Sequence, residues 1–357
     1  MESVDCSLCG CAASRVRFRI PTAQYHAGYL NAANILGPNP PDWFTIVACG
    51  GCGLLYVNPR YEEGELQSLY PDEQFTNRAG LLSAKILLRP WGAMPDIELR
   101  GETPHSRENV ERLQQIRRWK AVGRILDVGC ANGSFLALLE EHGWETHGVD
   151  ISPKAVENAR TVYGLQSVHC GDLMGTAFPD RFFDVVTLYN TIEHLPKPGL
   201  VLDRVCRISK PDALLIIQTV DFASLNARLL PRSLLFPAQH LYYFTRTDLV
   251  RALAARGFRL VHERFVTLGL ARFGYYALMH WLGQLMVYLD REGRGRGAEL
   301  VRRLAEACGL AFSREETLRR LKLVGASHIP MYRAVKKFAF LGCRTSEGVA
   351  DLGPERP

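Results

Sequence analysis

The segment that most constrains the fold of this chain is ILDVGCANGSF, which runs from Ile125 to Phe135. An apolar stretch typical of a buried strand leads into a glycine-rich turn, and a helix is expected directly after the turn. Gly129 and Gly133 allow backbone torsions that other residues resist, and they allow a ligand to approach closely. The first N–H groups of the following helix favour a carboxylate. The segment therefore predicts a strand–turn–helix unit of a parallel α/β sheet with a ligand at the turn.

Alternating strand and helix patterns continue from residue 124 onward. The patterns predict strands at 124–129, 145–149, 166–170, 183–189, 213–219, 258–266 and 332–341. Helices are expected to begin near Gly133, Pro153 and Gly199, and a fourth is expected over 246–256. We therefore expect an α/β fold with a Rossmann-like seven-stranded sheet and a helical insert before the last strand.

Polar side chains stand at the ends of the predicted strands. Asp150 ends the second strand, where it could accept hydrogen bonds from both ribose hydroxyls of an adenosine. Asp172 follows the third strand and could accept a hydrogen bond from an adenine amino group. Asn190 ends the fourth strand. A glycine-rich turn alone would also suit a dinucleotide, but the spacing of the acids favours a different adenosine ligand.

With these motifs, residues 123 to 266 resemble the class I S-adenosylmethionine-dependent methyltransferases, most strongly the branch that modifies quinones and other small molecules. The resemblance implies S-adenosylmethionine as the cofactor. It implies cofactor contacts at Asp127, Gly129, Gly133, Asp150, Asp172, Leu173 and Asn190. Ala131 stands where many members have a glycine, and its small side chain predicts only a slight local adjustment. A Rossmann sheet that binds a nicotinamide dinucleotide is the alternative.

A Glu-His pair, Glu193 and His194, follows the fourth strand in TIEHLPKP, and the same pair marks the active site of the resembling quinone O-methyltransferases. An imidazole titrates near neutral pH, so His194 is our candidate base, with Glu193 beside it. The alternative is that His194 only caps the helix that follows. His240, in QHLYYFT, is the candidate that holds the acceptor.

Two matched knuckles of the form CxxCG predict a metal site near the start of the chain. Two thiolate pairs of this kind make a closed tetrahedral zinc site, so we expect structural zinc on Cys6, Cys9, Cys49 and Cys52. Free reduced thiols are the alternative, and Cys11 is expected to be a spare. The segment CGGCGLLYVNPR resembles the ribbon that precedes methyltransferase domains in sugar- and glycan-modifying clusters.

Charge and cysteine usage bear on partners and location. The net charge is +6, and residues 291–337 alone contribute 12 Lys/Arg against 5 acidic residues. This excess is weaker than a dedicated nucleic-acid binder carries, so no nucleic-acid partner is expected. Ten cysteines and an opening segment without a signal-peptide pattern predict a cytoplasmic protein. The apolar stretch from 267 to 289 and the basic residues after it leave three roles open: a lid, a homodimer contact, or a peripheral contact with the inner face of the membrane.

The expected organisation is a zinc-ribbon module over 1–60, a helical linker or lid over 61–122, a methyltransferase domain over 123–343 with its insert at 268–330, and a flexible tail over 344–357. The expected reaction is methyl transfer to oxygen or carbon of a small-molecule acceptor such as a sugar, a glycan or a lipid-linked intermediate. RNA methylation with the ribbon as the RNA contact is one alternative. A cofactor-binding partner protein without turnover is the other.

Overall fold

The computed structural model describes residues 1–22, 36, 39–69, 107–223, 237–266 and 337–344. The predicted insert at 268–330 lies outside the described residues, as do most of the predicted linker and tail. The chain divides into two compact units. The first unit comprises Met1–Glu98, Val220–Thr245 and Phe265–Lys337, and the second comprises Leu99–Thr219, Arg246–Arg264 and Phe338–Pro357.

The elements are numbered in chain order. The strands are β1 (Ser14–Pro21), β2 (Trp43–Cys49), β3 (Leu55–Val57), β4 (Arg124–Val128), β5 (Glu145–Asp150), β6 (Val168–Cys170), β7 (Phe183–Tyr189), β8 (Ser209–Val220), β9 (Tyr242–Tyr243), β10 (Phe258–Val266) and β11 (Lys337–Arg344). The α-helices are α1 (Glu63–Ser68), α2 (Arg107–Arg117), α3 (Ser134–Glu140), α4 (Pro153–Tyr163), α5 (Pro198–Ile208) and α6 (Arg246–Ala254). A short 3-10 helix covers Ile192–His194.

The second unit carries a seven-stranded sheet in the order β10-β11-β8-β7-β4-β5-β6. Its central pairs, β7–β8, β4–β7, β4–β5 and β5–β6, are all parallel. The expected Rossmann-like sheet is therefore confirmed, and each predicted strand overlaps an observed one. The largest boundary differences are at β8, which begins at Ser209 rather than at residue 213, and at β11, which covers Lys337–Arg344 rather than 332–341. The strand β6 begins at Val168, two residues later than predicted.

Apolar strands and capped helices explain why this sheet forms. Ile125 and Leu126 of β4 are fully buried, and six of the seven residues of β7 are buried, as expected for parallel strands covered on both faces. Ser152 accepts a hydrogen bond from the N–H of Ala155 and so caps the start of α4. Gly164 ends that helix with a φ of +73°, a torsion that favours glycine.

The first unit carries a four-stranded sheet in the order β1-β2-β3-β9, with all three pairs antiparallel. Its buried side includes Phe44 and Tyr61, whose rings meet edge to face with centroids 6.0 Å apart. The strand β9 joins this sheet from far along the chain, which the sequence did not predict. No helix among the described residues has the length and apolar character needed to cross a membrane.

Candidate functional site

The turn after β4 is built on two glycines whose conformation and surroundings both exclude a side chain. Gly129 has a φ of +78°, and a Cβ there would lie 2.5 Å from the Oγ1 of Thr191. Gly133 has a φ of +75°, and a Cβ there would lie 2.4 Å from the Cδ1 of Leu165. The two glycines are therefore needed both for backbone torsion and for close packing at the start of α3.

Asp150, at the end of β5, fixes this turn through its side chain. One carboxylate oxygen accepts a hydrogen bond from the N–H of Ala131 at 2.8 Å, and the other accepts one from the N–H of Ser152 at 2.9 Å. Burial raises the pKa of Asp150, while the two backbone hydrogen bonds act in the opposite direction. Each oxygen keeps a second lone pair, so the carboxylate could still accept two hydroxyl groups of a ligand.

Asp127 lies one strand away from Asp150 and is almost completely buried, with 4% of its surface exposed. The hydroxyl of Thr187, on the neighbouring β7, donates to its Oδ1 at 2.6 Å. Burial raises the pKa of Asp127 to about 7, against the opposing effects of the Thr187 hydroxyl and the charge of Arg112. The carboxyl is thus poised to change charge near neutral pH, where a cationic ligand group would favour its ionised form.

Arg112 of α2 is a site residue that the sequence analysis missed. Its guanidinium carbon lies 4.0 Å from the centre of the Tyr189 ring, at the end of β7, and its charge acts on Asp127. It donates to Glu108 at 2.9 Å, yet within the described part of the chain its Nε is buried without a hydrogen-bond partner. The sequence gives only an i,i+4 pair of Glu108 and Arg112, which is typical of a solvated helix face.

Asp172 follows β6, and its side chain is exposed. Its Oδ1 accepts a hydrogen bond from the N–H of Gly175 at 2.6 Å, which closes a tight turn. The next residue, Leu173, is buried. The carboxylate is therefore held in one orientation and remains open to a ligand.

Asn190 follows β7 with a φ of +52°, and its N–H donates to the carbonyl of Gln218 at 2.7 Å. Its Oδ1 is buried and has no hydrogen-bond partner among the residues that the structure describes. The second unit thus places Asp127, Gly129, Asp150, Asp172 and Asn190 at or just beyond the carboxyl ends of four neighbouring strands, the edge where open α/β sheets bind ligands.

Glu193 and His194 lie in the 3-10 helix directly after β7. Glu193 is buried with 2% exposure, whereas His194 is half-buried, and the backbone N–H of His194 donates to the carbonyl of Thr191. The N-cap position of α5 is occupied by Lys197, so His194 is not the N-cap residue of that helix. His240 belongs to the first unit, where it is buried two residues before β9.

The four cysteines of the two knuckles converge in the first unit. The Sγ atoms of Cys6 and Cys52 are 3.6 Å apart, those of Cys9 and Cys49 are 3.4 Å apart, and all four lie within 4.8 Å of one another. A tetrahedron with zinc–sulfur bonds of about 2.3 Å has sulfur–sulfur edges of about 3.8 Å, so the arrangement fits a zinc ion. Cys11 is outside this group, and its Sγ approaches the carbonyl of Ala13 instead.

The backbone of the second knuckle is directed at sulfur. The N–H groups of Gly51 and Cys52 point to the Sγ of Cys49 at 3.3 and 3.4 Å. Burial raises the pKa of the Cys49 thiol, but these N–H groups and the neighbouring thiols outweigh it and lower the pKa to about 6. A thiolate is the form that binds a metal, so the knuckle favours the ligating state.

Comparisons with known proteins concern mainly the second unit. Residues 103–263 match a family model described as a methyltransferase domain. The ubiquinone biosynthesis O-methyltransferase of Hahella chejuensis is 32% identical over 104 residues, which cover 28% of this chain and 43% of that protein. The corresponding protein of Coxiella burnetii is 28% identical over 161 residues, covering 42% of this chain and 65% of its own length.

Among solved structures, a SAM-dependent methyltransferase from Archaeoglobus fulgidus is similar with 20% identity and a TM-score of 0.42. The alignment covers 67% of this chain and 94% of that one. The chain spans about half the length of the curated relatives that it matches.

Proposed function

We propose that this chain transfers a methyl group from S-adenosylmethionine to a small-molecule acceptor, because residues 103–263 match a family model described as a methyltransferase domain. The observation that carries the proposal is the pairing of the glycine turn with Asp150. The Ala131 N–H bond to that carboxylate joins the turn after β4 to the end of β5, so the two parts of an adenosine site are fixed together.

The described residues offer suitable partners for each part of the cofactor. Asp150 would accept the ribose hydroxyls, and Asp172 would accept the adenine amino group. The buried Asp127 and the partly exposed Arg112 offer opposite charges for the amino and carboxylate groups of the methionyl part. Among the described residues, two buried polar atoms at this edge have no hydrogen-bond partner: the Nε of Arg112 and the Oδ1 of Asn190. Buried polar atoms are normally hydrogen-bonded, so these two support a polar ligand here.

When bound, S-adenosylmethionine supplies a methyl group that is already activated on a sulfonium, so the main task of the protein is to align the acceptor. We propose that His194 takes the proton from an acceptor hydroxyl as the oxygen–methyl bond forms and the sulfur–methyl bond breaks. Glu193, buried beside it, would stabilise the protonated imidazole. His240 would hold the acceptor.

The acceptor that we propose is a hydroxyl of a lipid-linked small molecule. The curated relatives are named as ubiquinone biosynthesis O-methyltransferases, which supports oxygen as the acceptor atom. A hydroxyl of a sugar or glycan is the second candidate acceptor for the same methyl transfer. We further propose a cytoplasmic location with peripheral contact at the inner face of the membrane, and a homodimer.

Zinc is proposed as a structural ion on Cys6, Cys9, Cys49 and Cys52. The convergence of the four Sγ atoms supports this site, and four protein ligands leave no open position for catalysis. The ion would hold the two knuckles together and so fix the ends of β1 and β2.

The test of this function compares His194→Ala with His142→Ala, a histidine that is half-buried like His194 but has no assigned role in the candidate site. The assay follows release of S-adenosylhomocysteine from S-adenosylmethionine with a lipid extract as the acceptor. We expect His194→Ala to lower turnover by about 10²–10⁴-fold, because a general base contributes this much, and to leave affinity for S-adenosylhomocysteine unchanged. His142→Ala should retain full turnover.

Three other outcomes would be decisive. Equal turnover in both variants would remove His194 from the mechanism. Tight binding of S-adenosylhomocysteine without any release of it from the wild type would favour a non-catalytic partner protein. No calorimetric heat with either nucleoside would end the methyltransferase proposal itself.

A further inference from the structure

One polar residue stands within the buried apolar part of β7. Thr187 lies between Val186 and Leu188, and it is fully buried. A valine has nearly the same shape and no hydroxyl that needs a partner, so the hydroxyl calls for an explanation. In the parallel pairing of β4 with β7, Thr187 is opposite Asp127, the carboxyl that we assign to the methionyl amino group.

The hydroxyl of Thr187 has two acceptors within reach but only one hydrogen. Its Oγ1 lies 2.6 Å from the Oδ1 of Asp127 and 3.3 Å from the carbonyl oxygen of Leu126. When the carboxyl is ionised, the hydroxyl donates to Oδ1, and the short distance is typical of a hydroxyl bound to a carboxylate. When Oδ1 carries a proton, it can donate that proton to Oγ1 while the hydroxyl turns to the Leu126 carbonyl. Rotation of one hydrogen therefore gives both charge states of Asp127 a partner.

The neighbouring Asp150 shows what Asp127 lacks. Both side chains are almost completely buried, with 8% and 4% exposure. Asp150 accepts hydrogen bonds from the backbone N–H groups of Ala131 and Ser152, and backbone donors of this kind cannot turn away. From the described residues, Asp127 receives only the Thr187 hydroxyl. A buried carboxyl with a single, rotatable donor favours its neutral form until a cation binds beside it.

The titratable groups that act on Asp127 or feel its charge come from α2, β5, β7 and the glycine turn: Arg112, Asp150, Tyr189 and Cys130. Burial raises the pKa of Tyr189 and of the Cys130 thiol, so both are neutral near pH 7. Burial also raises the pKa of Asp127 to about 7, with the Thr187 hydroxyl and the charge of Arg112 acting downward and the charge of Asp150 acting upward. The charges of Arg112 and Asp150 thus oppose one another.

We propose that Asp127 holds a proton in the ligand-free protein and releases it when the methionyl ammonium binds, with Thr187 as the positioning residue for both states. The proton passes from Oδ1 to the solvent, and the hydroxyl hydrogen of Thr187 turns from the Leu126 carbonyl to Oδ1. The ionised carboxylate then pairs with the ammonium. This inference rests on the proposed function, because S-adenosylmethionine or its demethylated product supplies that ammonium. Affinity for the cofactor should consequently rise with pH until the ligand-free carboxyl is already ionised.

The experiment measures proton release when S-adenosylhomocysteine binds to the zinc-loaded full chain. Calorimetric titrations at pH 6 and pH 8 are repeated in buffers of different ionisation enthalpy, and the dependence of the heat on that enthalpy gives the number of protons released. A pKa of about 7 for Asp127 leads to release of about 0.9 proton at pH 6 and about 0.1 proton at pH 8. Asp127→Asn has no carboxyl proton and should release none at either pH.

Thr187→Val tests the positioning role. Loss of the hydroxyl removes a donor to the carboxylate and raises the pKa of Asp127 further. S-adenosylhomocysteine should therefore bind about tenfold more weakly at pH 6 but only about twofold more weakly at pH 8, where release should rise to about half a proton. Thr187→Ser keeps the hydroxyl and should stay within about threefold of the wild type.

Thr146→Val is the matched control. Thr146 is a buried threonine of β5, and its hydroxyl donates to a carboxylate oxygen of Glu140 at 2.7 Å rather than to a residue of the candidate site. The same chemical change there should alter neither the affinity for S-adenosylhomocysteine nor the proton release. Circular dichroism checks the folding of every variant. If Thr187→Val does not fold, Thr187→Ala replaces it with the same expected dependence on pH.

Infrared difference spectroscopy provides a readout that does not depend on heat. At pH 6, binding of S-adenosylhomocysteine should remove the absorption of one protonated carboxyl from the wild type. Asp127→Asn should show no such loss.

Results of three kinds would overturn the inference. These are binding by the wild type at pH 6 without proton release, proton release that persists in Asp127→Asn, and an equal loss of affinity at both pH values in Thr187→Val. Absence of any binding by the wild type is a different result, because it would end the methyltransferase proposal and this inference with it.

Discussion

Replacing Gly133 by Ala tests the packing of the turn that carries the candidate site. The substitution would force alanine into a φ of +75°, which costs about 1–2 kcal/mol. It would also place a Cβ 2.4 Å from the Cδ1 of Leu165 and 2.9 Å from the Cβ of Ala159, an overpacking that costs about 1–3 kcal/mol. The expected loss is about 2–5 kcal/mol, a large part of the free energy of unfolding of an ordinary domain.

Gly164→Ala is the matched control for this prediction. Gly164 has nearly the same φ, +73°, but a Cβ there would meet nothing within 4 Å. It should therefore lose only the torsional part, about 1–2 kcal/mol. The difference between the two variants isolates the steric cost at Gly133, and denaturant unfolding followed by circular dichroism measures it from the midpoint and the slope.

A third variant checks the physical reason. Leu165→Ala removes the side chain that the new Cβ would meet, so the double variant Gly133→Ala/Leu165→Ala should lose less than the sum of the two single losses. The reasoning is refuted if Gly133→Ala is no less stable than Gly164→Ala. Strict additivity in the cycle would likewise show that Leu165 is not the obstacle.

Three further predictions concern the charges and the metal. Arg112→Leu should weaken binding of S-adenosylhomocysteine by about 10–100-fold in calorimetry, because a charged hydrogen-bond partner is lost, while Arg117→Leu on the same helix should not. The raised pKa of Asp127 means that ligand-free protein loses stability as pH rises from about 4 through about 7, and Asp127→Asn should flatten this part of the stability–pH curve. Cys49→Ser should abolish retention of one equivalent of zinc and lower the free energy of unfolding by several kcal/mol, whereas Cys11→Ser should keep the zinc, as measured by metal analysis and denaturation.

The seven-stranded sheet could be predicted because its signals are local. Buried strands such as β4 and β7 are mostly apolar, and the caps Ser152 and Gly164 mark one helix at both ends. These features act within a few residues of the chain. The partners of β4 then follow from the right-handed crossovers of parallel strands, so local patterns were enough to give the fold class.

The missed features depend on contacts between distant parts of the chain. β9 is only Tyr242–Tyr243, and it is a strand because its backbone pairs with Leu55 and Tyr56 of β3. No pattern within two residues indicates this. Arg112 was missed for a similar reason, since its role comes from its position over the Tyr189 ring rather than from its spacing along α2.

The position of Ala131 shows what the glycine turn requires of its residues. Ala131 has a φ of +49°, so it adopts the left-handed torsion that glycine would adopt more cheaply. The hydrogen bond from its backbone N–H to Asp150 helps to offset this cost. Because the donor is a main-chain group, alanine can form this bond as well as glycine can. Gly129 and Gly133 differ because a Cβ at either would collide with Thr191 or Leu165. The turn thus demands glycine where space is lacking and tolerates alanine where only torsion is strained, which explains how this chain departs from the common pattern and keeps the geometry that joins β4 to Asp150.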